Sequence, residues 1–238
     1  MSVLEYSRDT IRRCLQESEA FRALDPEWFE RFVEAATMGR LHEDDRLWSE
    51  GDAPTELTYI HRGLVKVKHT IPNGAEVSTG MFGPGSCVGA LAALNHIPYP
   101  ASAVVVSRVA EIVHIPLGVV TEASERAKGF TGTLHRHFLD VARQMHARID
   151  VLSGGTVPAR LALLLLHLVE RFGATDGKGG ASLSLSLSRN AIAELVAARP
   201  ETVIRTFAKW RQEGWLQEDD HGITLRDLEV AKTISREG

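Results

Sequence analysis

Glu201 and Arg205 are the two residues of this sequence whose types and spacing point most directly to a chemistry. They lie four residues apart, so a helix would carry both side chains on one face. An arginine can donate a fork of hydrogen bonds to N7 and O6 of guanine, and a carboxylate can accept one from N4 of cytosine. The pair therefore predicts a helix that reads a G·C base pair. The alternative is a surface ion pair worth about 0.2–0.5 kcal/mol.

The residues around this pair predict a helix-turn-helix. Ser188 occupies a helix-cap position, where its hydroxyl can accept a hydrogen bond from a free backbone amide. Residues 197–199 form the turn, and Pro200 begins the second helix with its φ already near the helical value. The apolar residues expected on the inward faces are Ile192, Leu195, Val196, Val203, Phe207 and Trp210. A hairpin around Asp220 and Gly222 follows, which predicts a wing.

The elements before this motif change period along the chain. Residues 1 to about 40 predict helices, with Asp25 as a cap and Pro26 as the first helical residue. Residues from about 41 to 118 alternate short β-type runs with Gly and Pro, and Asn73-Gly74 is a hairpin signal. Regularly spaced short strands predict a sandwich or a barrel. The expected fold class is α+β.

Residues from about 120 to 153 predict a long helix. Its apolar residues recur at spacings of three and four, which is typical of a helix–helix seam. We expect this stripe to form a dimer seam; the alternative is an amphipathic helix packed on its own domain. The stripe consists of Phe130, Leu134, Phe138, Val141, Met145, Ile149 and Leu152.

Composition excludes several classes of protein. The net charge of −4 argues against a protein that coats nucleic acid by bulk charge, and from residue 157 to the end 11 basic residues balance 11 acidic ones. Two cysteines cannot build a disulfide framework. No apolar run approaches the roughly 20 residues of a membrane span, and no signal core is present, so we expect a cytoplasmic protein without membrane contact. No catalytic motif or metal-ligand cluster stands out, so we expect no enzyme and no metal site.

The order of these elements resembles the CRP/FNR family, which includes the cyclic AMP receptor protein. The resemblance covers nearly the whole chain and is strongest in residues 50–52, 59–67, 82–89 and 199–205. It implies a β jelly-roll sensory domain similar to cyclic-nucleotide-binding domains (residues 1–118), a dimerisation helix (119–153) and a winged helix-turn-helix (154–238). It also implies a homodimer that binds double-stranded DNA at a palindromic site and contacts RNA polymerase.

The resemblance also implies roles for individual residues of the helix-turn-helix. Glu201 and Arg205 match positions that read a G·C pair, and the methyl groups of Ile204 could touch a thymine methyl. Pro200 stands where the cyclic AMP receptor protein has a base-reading arginine, so we expect a half-site nearer the TTG-A type of the FNR branch than the TGTGA type. Arg199 stands where relatives often have a capping serine. The expected phosphate contacts are Ser188, Arg189, Arg199, Thr202 and Lys209.

The matching effector positions depart from the cyclic AMP pattern. The family holds ribose and phosphate with a glutamate, an arginine and a serine, where this chain has Ala90, Pro100 and Ala101. Because an anionic phosphate would lose its charge-assisted hydrogen bonds, we do not expect cyclic AMP to bind in the usual way. Two alternatives stay open for this cavity: it holds a more apolar ligand, or it is filled and binds no effector. The expected pocket residues are Gly89, Ala90, Leu91, Pro100, Ala101 and Met145.

Other signals stay open as alternatives, and no cofactor is required by the sequence. Two cysteines exclude a four-cysteine iron–sulfur cluster. A haem- or redox-sensing regulator of the same fold is one alternative, and a nucleotide-binding regulatory module that does not bind DNA is another. Cys87 is a candidate thiol sensor, although most lone cysteines in strands are buried and inert. The candidate haem ligands, chosen by residue type alone, are Cys87, His96, His135, His137 and His146.

Overall fold

The computed structural model describes residues 6–74, 76–127, 130–219 and 222–237. Within its helices it describes only the backbone of residues 19, 20, 131, 133–137 and 140. The chain divides into two compact units, one within Met1–Val105 and Val109–Arg143, the other within Val106–Arg108 and Gln144–Gly238. No helix in the described ranges is long and apolar enough to cross a membrane.

The first unit combines helices with two antiparallel sheets. Its helices are α1 (Arg8–Glu17), α2 (Glu19–Arg22), α3 (Pro26–Ala35), α4 (Ala90–Leu94), α5 (Leu117–Arg126) and the first part of α6 (Phe130–Ser153). Its strands are β1 (Thr37–His42), β2 (Arg46–Trp48), β3 (Glu56–Arg62), β4 (Val65–Thr70), β5 (Glu76–Phe82), β6 (Cys87–Val88), β7 (Ser102–Val105) and β8 (Val109–Pro116). The strand orders are β1-β8-β3-β6 and β2-β7-β4-β5, and the pairs within both sheets are antiparallel.

Local signals account for several of these elements. The Asp25 carboxylate accepts a hydrogen bond from the Trp28 amide at 3.0 Å, so α3 begins where the sequence predicts. Gly74 has a φ of 82° and donates its N–H to the Ile71 carbonyl at 2.8 Å, which closes the predicted turn between β4 and β5. The hairpin prediction is confirmed.

Two apolar clusters hold the first unit together. One takes side chains from both sheets, as expected for a jelly roll; it includes Trp48, Ile60, Val65, Phe82, Val88, Tyr99, Ala103 and Ile112. The other packs the helices on the sheet that contains β3 and β8; it includes Leu15, Phe21, Trp28, Phe32, Tyr59, Cys87, Val113, Ile115, Val120 and Phe130. The α+β fold and the jelly roll are therefore confirmed.

The helical segment predicted over 119–153 comprises two helices rather than one. α5 ends at Arg126 and α6 begins at Phe130, and residues 128 and 129 lie outside the described ranges. Val120 and Ala123 of α5 are buried in the cluster that packs the helices on the sheet of β3 and β8, so α5 belongs to the core of the first unit. Along the chain, the division between the two units falls within α6, between Arg143 and Gln144, whereas the predicted domain boundaries lie at residues 118 and 153.

The second unit contains the predicted helix-turn-helix and wing. Besides the last part of α6, its elements are α7 (Val157–Phe172), β9 (Ala174–Thr175), β10 (Ala181–Leu183), α8 (Arg189–Leu195), α9 (Pro200–Gln212), β11 (Leu216–Asp219), β12 (Gly222–Leu225) and α10 (Leu228–Arg236). The strands form one antiparallel sheet in the order β11-β12-β10-β9. Leu183, Leu185 and Leu187 are buried, as their alternation with serine predicts.

Candidate nucleic-acid interface

Helix α8 is capped as the sequence predicts. The Ser188 hydroxyl accepts a hydrogen bond from the Ala191 amide at 3.2 Å. Ile192 and Leu195 are buried, which holds the inward face of α8 against the unit's core. The Ser188 hydroxyl therefore caps its own helix. The other backbone N–H groups of the first turn have no acceptor within the helix.

A tight turn joins α8 to α9. Ala197 adopts a left-handed conformation with φ of 47°, and the Ala198 amide donates to the Ala193 carbonyl at 2.9 Å. Two arginines support this turn, since Arg160 reaches the carbonyl of Ala197 at 3.4 Å and Arg148 that of Glu194 at 3.5 Å. The predicted turn is confirmed.

Helix α9 begins at Pro200 and lacks a side-chain cap. Arg199 occupies the N-cap position without a side-chain hydrogen bond to the helix, as its departure from the family serine leads one to expect. Arg199 is exposed. Because a guanidinium has no acceptor for a backbone N–H, Arg199 does not cap the helix. It lies at the positive end of the α9 dipole.

Buried aromatic rings fix the orientation of α9. Val203, Phe207 and Trp210 are all at most 2% exposed, as predicted for the inward face. The Phe207 and Trp210 rings lie 5.7 Å apart, and Trp210 contacts Trp215 at 4.6 Å between centroids. Because these rings are large and interlocked, the opposite face of α9 is presented on a rigid support.

The outward face of α9 carries the predicted base-reading residues. Glu201, Ile204 and Arg205 are exposed, Ile204 by 49%. Neither the Glu201 carboxylate nor the Arg205 guanidinium makes a hydrogen bond or ion pair with another residue in the described part of the chain. The surface ion pair that was the alternative is absent there, and both groups keep their full hydrogen-bonding capacity.

The predicted phosphate contacts differ in their availability. Thr202 is half-buried, and its carbonyl accepts from the Thr206 hydroxyl at 2.8 Å. Lys209 is exposed and lies 3.7 Å from Glu213, a surface pair of small energy. Arg189 is different, because its Nη2 donates to both carboxylate oxygens of Glu218 at 2.6 Å.

The wing follows α9 as an antiparallel hairpin. β11 pairs with β12 from Leu216 opposite Leu225 to Asp219 opposite Gly222. The Asp219 carboxylate accepts from the Gly222 amide at 3.0 Å. The predicted turn residues Asp220 and His221 lie outside the described ranges. The strands themselves confirm a winged helix-turn-helix.

The segment at Gly89 presents a contrasting arrangement. Gly89 has a φ of 74°, and a Cβ there would lie 2.7 Å from Tyr99 Cε1 and 3.0 Å from a Trp48 ring carbon. The Trp48 and Tyr99 rings stack with centroids 4.2 Å apart at 16°. Trp48 Nε1 donates to the Ala101 carbonyl at 2.9 Å. Only glycine fits this position, because two aromatic rings cover it.

The predicted effector residues differ in exposure. Ala90 and Ala101 are buried at 2% and 8% exposure, while Leu91 is 47% exposed and Pro100 is exposed. Met145 belongs to the second unit and is 53% exposed. Sequence reasoning missed the Trp48–Tyr99 stack, since no local pattern pairs two rings that lie far apart in the chain.

The candidate sensor residues also differ in burial. Cys87 is buried on β6, and burial raises the pKa of its thiol to about 12. His96 and His146 are exposed, and the side chains of His135 and His137 lie outside the described residues. Among the side chains that the structure describes, no three His, Cys, Asp or Glu residues converge on a metal-ion site.

The predicted dimer seam is only partly exposed. Phe130 is 2% exposed and packs 5.6 Å from Phe32, which corrects its assignment to the seam: its ring completes the core of its own unit. Phe138 and Val141 are half-buried, and Val141 packs against the jelly-roll core. Leu134's side chain lies outside the described residues.

The remaining seam residues lie on the part of α6 in the second unit. Met145, Ile149 and Leu152 are exposed by 53%, 60% and 39%. Their spacings of four and three place them on one helix face. Leu139, which the sequence stripe omits, is 60% exposed on the part of α6 in the first unit.

Comparison with known proteins agrees with this geometry. A family profile described as a Crp-like helix-turn-helix domain matches residues 159–230, and one described as a cyclic nucleotide-binding domain matches residues 39–126. The CRP-like cAMP-activated global transcriptional regulator of Mycobacterium tuberculosis is 27% identical over 183 residues, which cover 77% of this chain and 81% of that protein. The transcriptional activator protein anr of Pseudomonas aeruginosa is 27% identical over 195 residues, which cover 82% and 79%.

Solved structures show the same fold. FixK2 from Bradyrhizobium japonicum matches with a TM-score of 0.68 at 19% identity, covering 84% of this chain and 96% of that one. The two profiles follow each other in the order expected from the sequence, the first over the jelly roll and the second over the helix-turn-helix and wing. The chain therefore belongs to the CRP/FNR family of transcription regulators, with a helix-turn-helix DNA-binding domain and a sensory domain of the cyclic-nucleotide-binding type.

Proposed function

We propose that this protein is a homodimeric regulator that binds a palindromic DNA site through α9, and that it is not an enzyme. The observation that carries the proposal is that Glu201 and Arg205 are exposed, without a side-chain partner among the described residues, on a helix held by buried aromatic rings. In helix-turn-helix proteins the second helix lies in the major groove. Contact with RNA polymerase belongs to the same proposal, as part of transcription control.

Three exposed residues of α9 each have a proposed partner in the half-site. Arg205 donates to N7 and O6 of a guanine, and Glu201 accepts from N4 of the paired cytosine. The side chain of Ile204 packs on a thymine methyl. Pro200 lacks a donor group, so a base read by an arginine at that position in relatives is not read here. These roles support a half-site of the TTG-A type.

Phosphate contacts would fix the register of α9 on the duplex. Arg199 and Lys209 are exposed cations beside the reading face, and Ser188 and Thr202 lie at the first turns of α8 and α9. Backbone amides at helix N-termini also favour phosphate. Arg189 enters this set only if it exchanges Glu218 for a phosphate.

Dimerisation through α6 would bring two α9 helices to the two halves of a palindrome. Met145, Ile149 and Leu152 expose apolar surface on one helix face. An apolar stripe at heptad spacing is what a paired helix buries. Symmetry of the dimer then matches symmetry of the site.

The proposed signal is not cyclic AMP bound in the usual way. Ala90, Pro100 and Ala101 supply no charged side chain for ribose or phosphate. The Trp48 and Tyr99 rings also cover Gly89 at the start of α4. The name of the Mycobacterium tuberculosis relative describes that protein as cAMP-activated, and this chain is expected to differ from it in that respect.

Isothermal titration tests this expectation. Because the charged partners for ribose and phosphate are missing, titration of this protein with cyclic AMP should give no saturable heat. A micromolar Kd would contradict the proposal.

Sedimentation of a charged variant tests the dimer. Ile149→Arg should shift the protein from dimer to monomer at micromolar concentration, because burying an unpaired guanidinium in the seam costs several kcal/mol. Val77→Arg is the matched control, since Val77 is also exposed, by 40%, but lies on β5. A wild-type monomer, or an Ile149→Arg dimer as stable as the control, would contradict the seam.

Loss of Glu201 tests DNA recognition. Glu201→Ala should lower affinity for the selected duplex by about 1–3 kcal/mol per half-site, chiefly at the cytosine it contacts. Glu229→Ala on α10 removes the same charge from a surface outside α9 and serves as the control. Equal effects of the two variants would show that Glu201 contributes only charge.

A further inference from the structure

Glu218 on the first wing strand holds two arginines from the two helices of the motif. Its carboxylate accepts from Arg189 of α8 at 2.6 Å through both oxygens, and from Arg211 of α9 at 3.3 Å through Oε2. Only 14% of the Glu218 side chain is exposed. A single, largely buried carboxylate therefore neutralises part of the charge of two guanidinium groups.

The position of Arg189 is further fixed by an aromatic ring. Its guanidinium carbon lies 4.6 Å from the centroid of Phe207, the residue that anchors α9. Arg189 is thus placed between a ring below it and a carboxylate beside it, with 28% of its side chain still exposed. The guanidinium charge of Arg189 therefore lies near the surface, but its partners, the Phe207 ring and the Glu218 carboxylate, belong to the protein itself.

This arrangement matters because the chain from residue 157 onward has no excess of positive charge. From residue 157 to the end, 11 basic residues face 11 acidic ones. Sequence-independent DNA affinity comes from cations that neutralise phosphates, with one counterion released per contact. In a segment with balanced charge, each cation that pairs within the protein removes a measurable share of that affinity.

Arg189 lies where a phosphate contact is expected. It is the first residue of α8, and the first helix of a helix-turn-helix crosses the DNA backbone. A phosphate oxygen and the Glu218 carboxylate would compete for the same donor groups. Arg211, in the last turn of α9 and 47% exposed, would be released by the same exchange.

We propose that Glu218 sets the sequence-independent share of DNA affinity by withholding Arg189 and Arg211 from the phosphate backbone. The proposal rests on the proposed DNA-binding function and adds to it a residue that tunes that function. Glu218 does not touch a base. It limits how strongly the protein binds any duplex, so that binding depends chiefly on the residues of α9 that read sequence.

The test compares salt dependence in Glu218→Gln, which keeps the side-chain shape and a hydrogen-bond acceptor but removes the charge. The slope of log affinity against log salt should steepen by about 0.9 for each arginine released to a phosphate. Affinity for a selected duplex and for a random duplex should rise by the same factor. A merely structural role of the pair would leave the slope unchanged and would weaken the selected duplex more than the random one.

Two further variants make the assignment specific. In the double variant Arg189→Ala and Glu218→Gln, the salt slope should be about 0.9 less steep than in Glu218→Gln alone, because the released Arg189 cation is gone. Glu229→Gln is the matched control: it removes one charge from an exposed pair with Lys232 on α10 and should leave the slope unchanged. Circular dichroism and thermal unfolding confirm that each variant is folded.

The outcomes separate this proposal from the one on which it rests. A wild-type protein that does not distinguish selected from random duplex would overturn both. A wild type that does distinguish them, together with a Glu218→Gln variant whose slope equals that of the wild type or of Glu229→Gln, would overturn the role of Glu218 alone. If adding Arg189→Ala left the slope as steep as in Glu218→Gln alone, the effect would belong to Arg211 only, which would contradict the part given to Arg189.

Discussion

Helix α9 and the segment at Gly89 both match regions that carry chemistry in the CRP/FNR family, and they present those positions in opposite ways. On α9, Glu201 and Arg205 are charged, exposed and without a side-chain partner among the described residues. Beside Gly89, Ala90 is apolar and buried, and aromatic rings occupy the adjacent space. Shared fold therefore carries shared chemistry only where the polar groups are both present and reachable.

Aromatic rings serve the two regions differently. In the second unit, Phe207 and Trp210 pack beneath α9 and leave its outer face open. In the first unit, Trp48 and Tyr99 lie inside the jelly roll, where they stack on each other. A mutation at a ring should thus affect stability in the sensory unit, and a mutation on the outer face of α9 should affect only DNA binding.

Removing the larger ring of the stack gives the largest expected effect. Trp48→Ala should lower the free energy of unfolding by about 3–5 kcal/mol, because it deletes a buried indole and its hydrogen bond to Ala101. Calorimetry should assign the loss to the transition of the first unit. Tyr99→Phe is the control: it keeps the stack, and we expect a cost below about 1 kcal/mol. A Trp48→Ala protein as stable as this control would mean that the rings do not fill the jelly roll.

Arg205→Ala should show the opposite profile. Affinity should fall by about 1–3 kcal/mol per half-site, with preference lost at one base pair. Stability should stay within about 0.5 kcal/mol, since the side chain is exposed. Lys209→Ala should instead weaken all duplexes equally and reduce the salt slope by about 0.9. If Arg205→Ala behaved like Lys209→Ala, both would be phosphate contacts.

Ile204 offers a smaller and more local test of the reading face. Replacing the contacted thymine by uracil removes one methyl group and should cost the wild type about 0.8 kcal/mol. Ile204→Ala should bind both duplexes with similar affinity, because its side chain no longer reaches that methyl. Fluorescence anisotropy with matched duplexes measures the difference. A uracil effect of the same size in both proteins would exclude Ile204 from this contact.

Cys87 should give the smallest effect on binding. Its folded-state pKa of about 12 lies above the ordinary value of about 8.5, so the folded protein favours the neutral thiol. The resulting stability is present below the unfolded pKa and is lost as pH rises through the folded pKa. At neutral pH, alkylation should be far slower than in denatured protein, and Cys87→Ser should bind DNA as the wild type does. Rapid alkylation with loss of DNA binding would support a redox sensor instead.

Sequence reasoning succeeds here where the signal is local. Ser188, Pro200 and Asp25 act on amides or dihedral angles within their own helix turn, so their roles can be predicted from neighbouring residues. The Asn73-Gly74 turn is local in the same sense.

Sequence reasoning fails where partners lie far apart in the chain. The Trp48–Tyr99 stack and the Arg189–Glu218 pair join residues that no periodic pattern links. The apolar stripe of α6 has a correct helical period, yet Phe130 is taken up by the core around Phe32. Periodicity identifies an apolar face, but packing decides whether that face meets the same chain or another one.

Selection of bound duplexes from random DNA tests the central claim most directly, with the wild type and Arg205→Ala in parallel. The wild type should enrich a palindrome with TTG-A-type half-sites. Arg205→Ala should lose the preference for one G·C pair in each half-site and keep the rest. Failure of the wild type to enrich any sequence, or an enriched half-site that Arg205→Ala leaves unchanged, would contradict DNA reading by the outer face of α9.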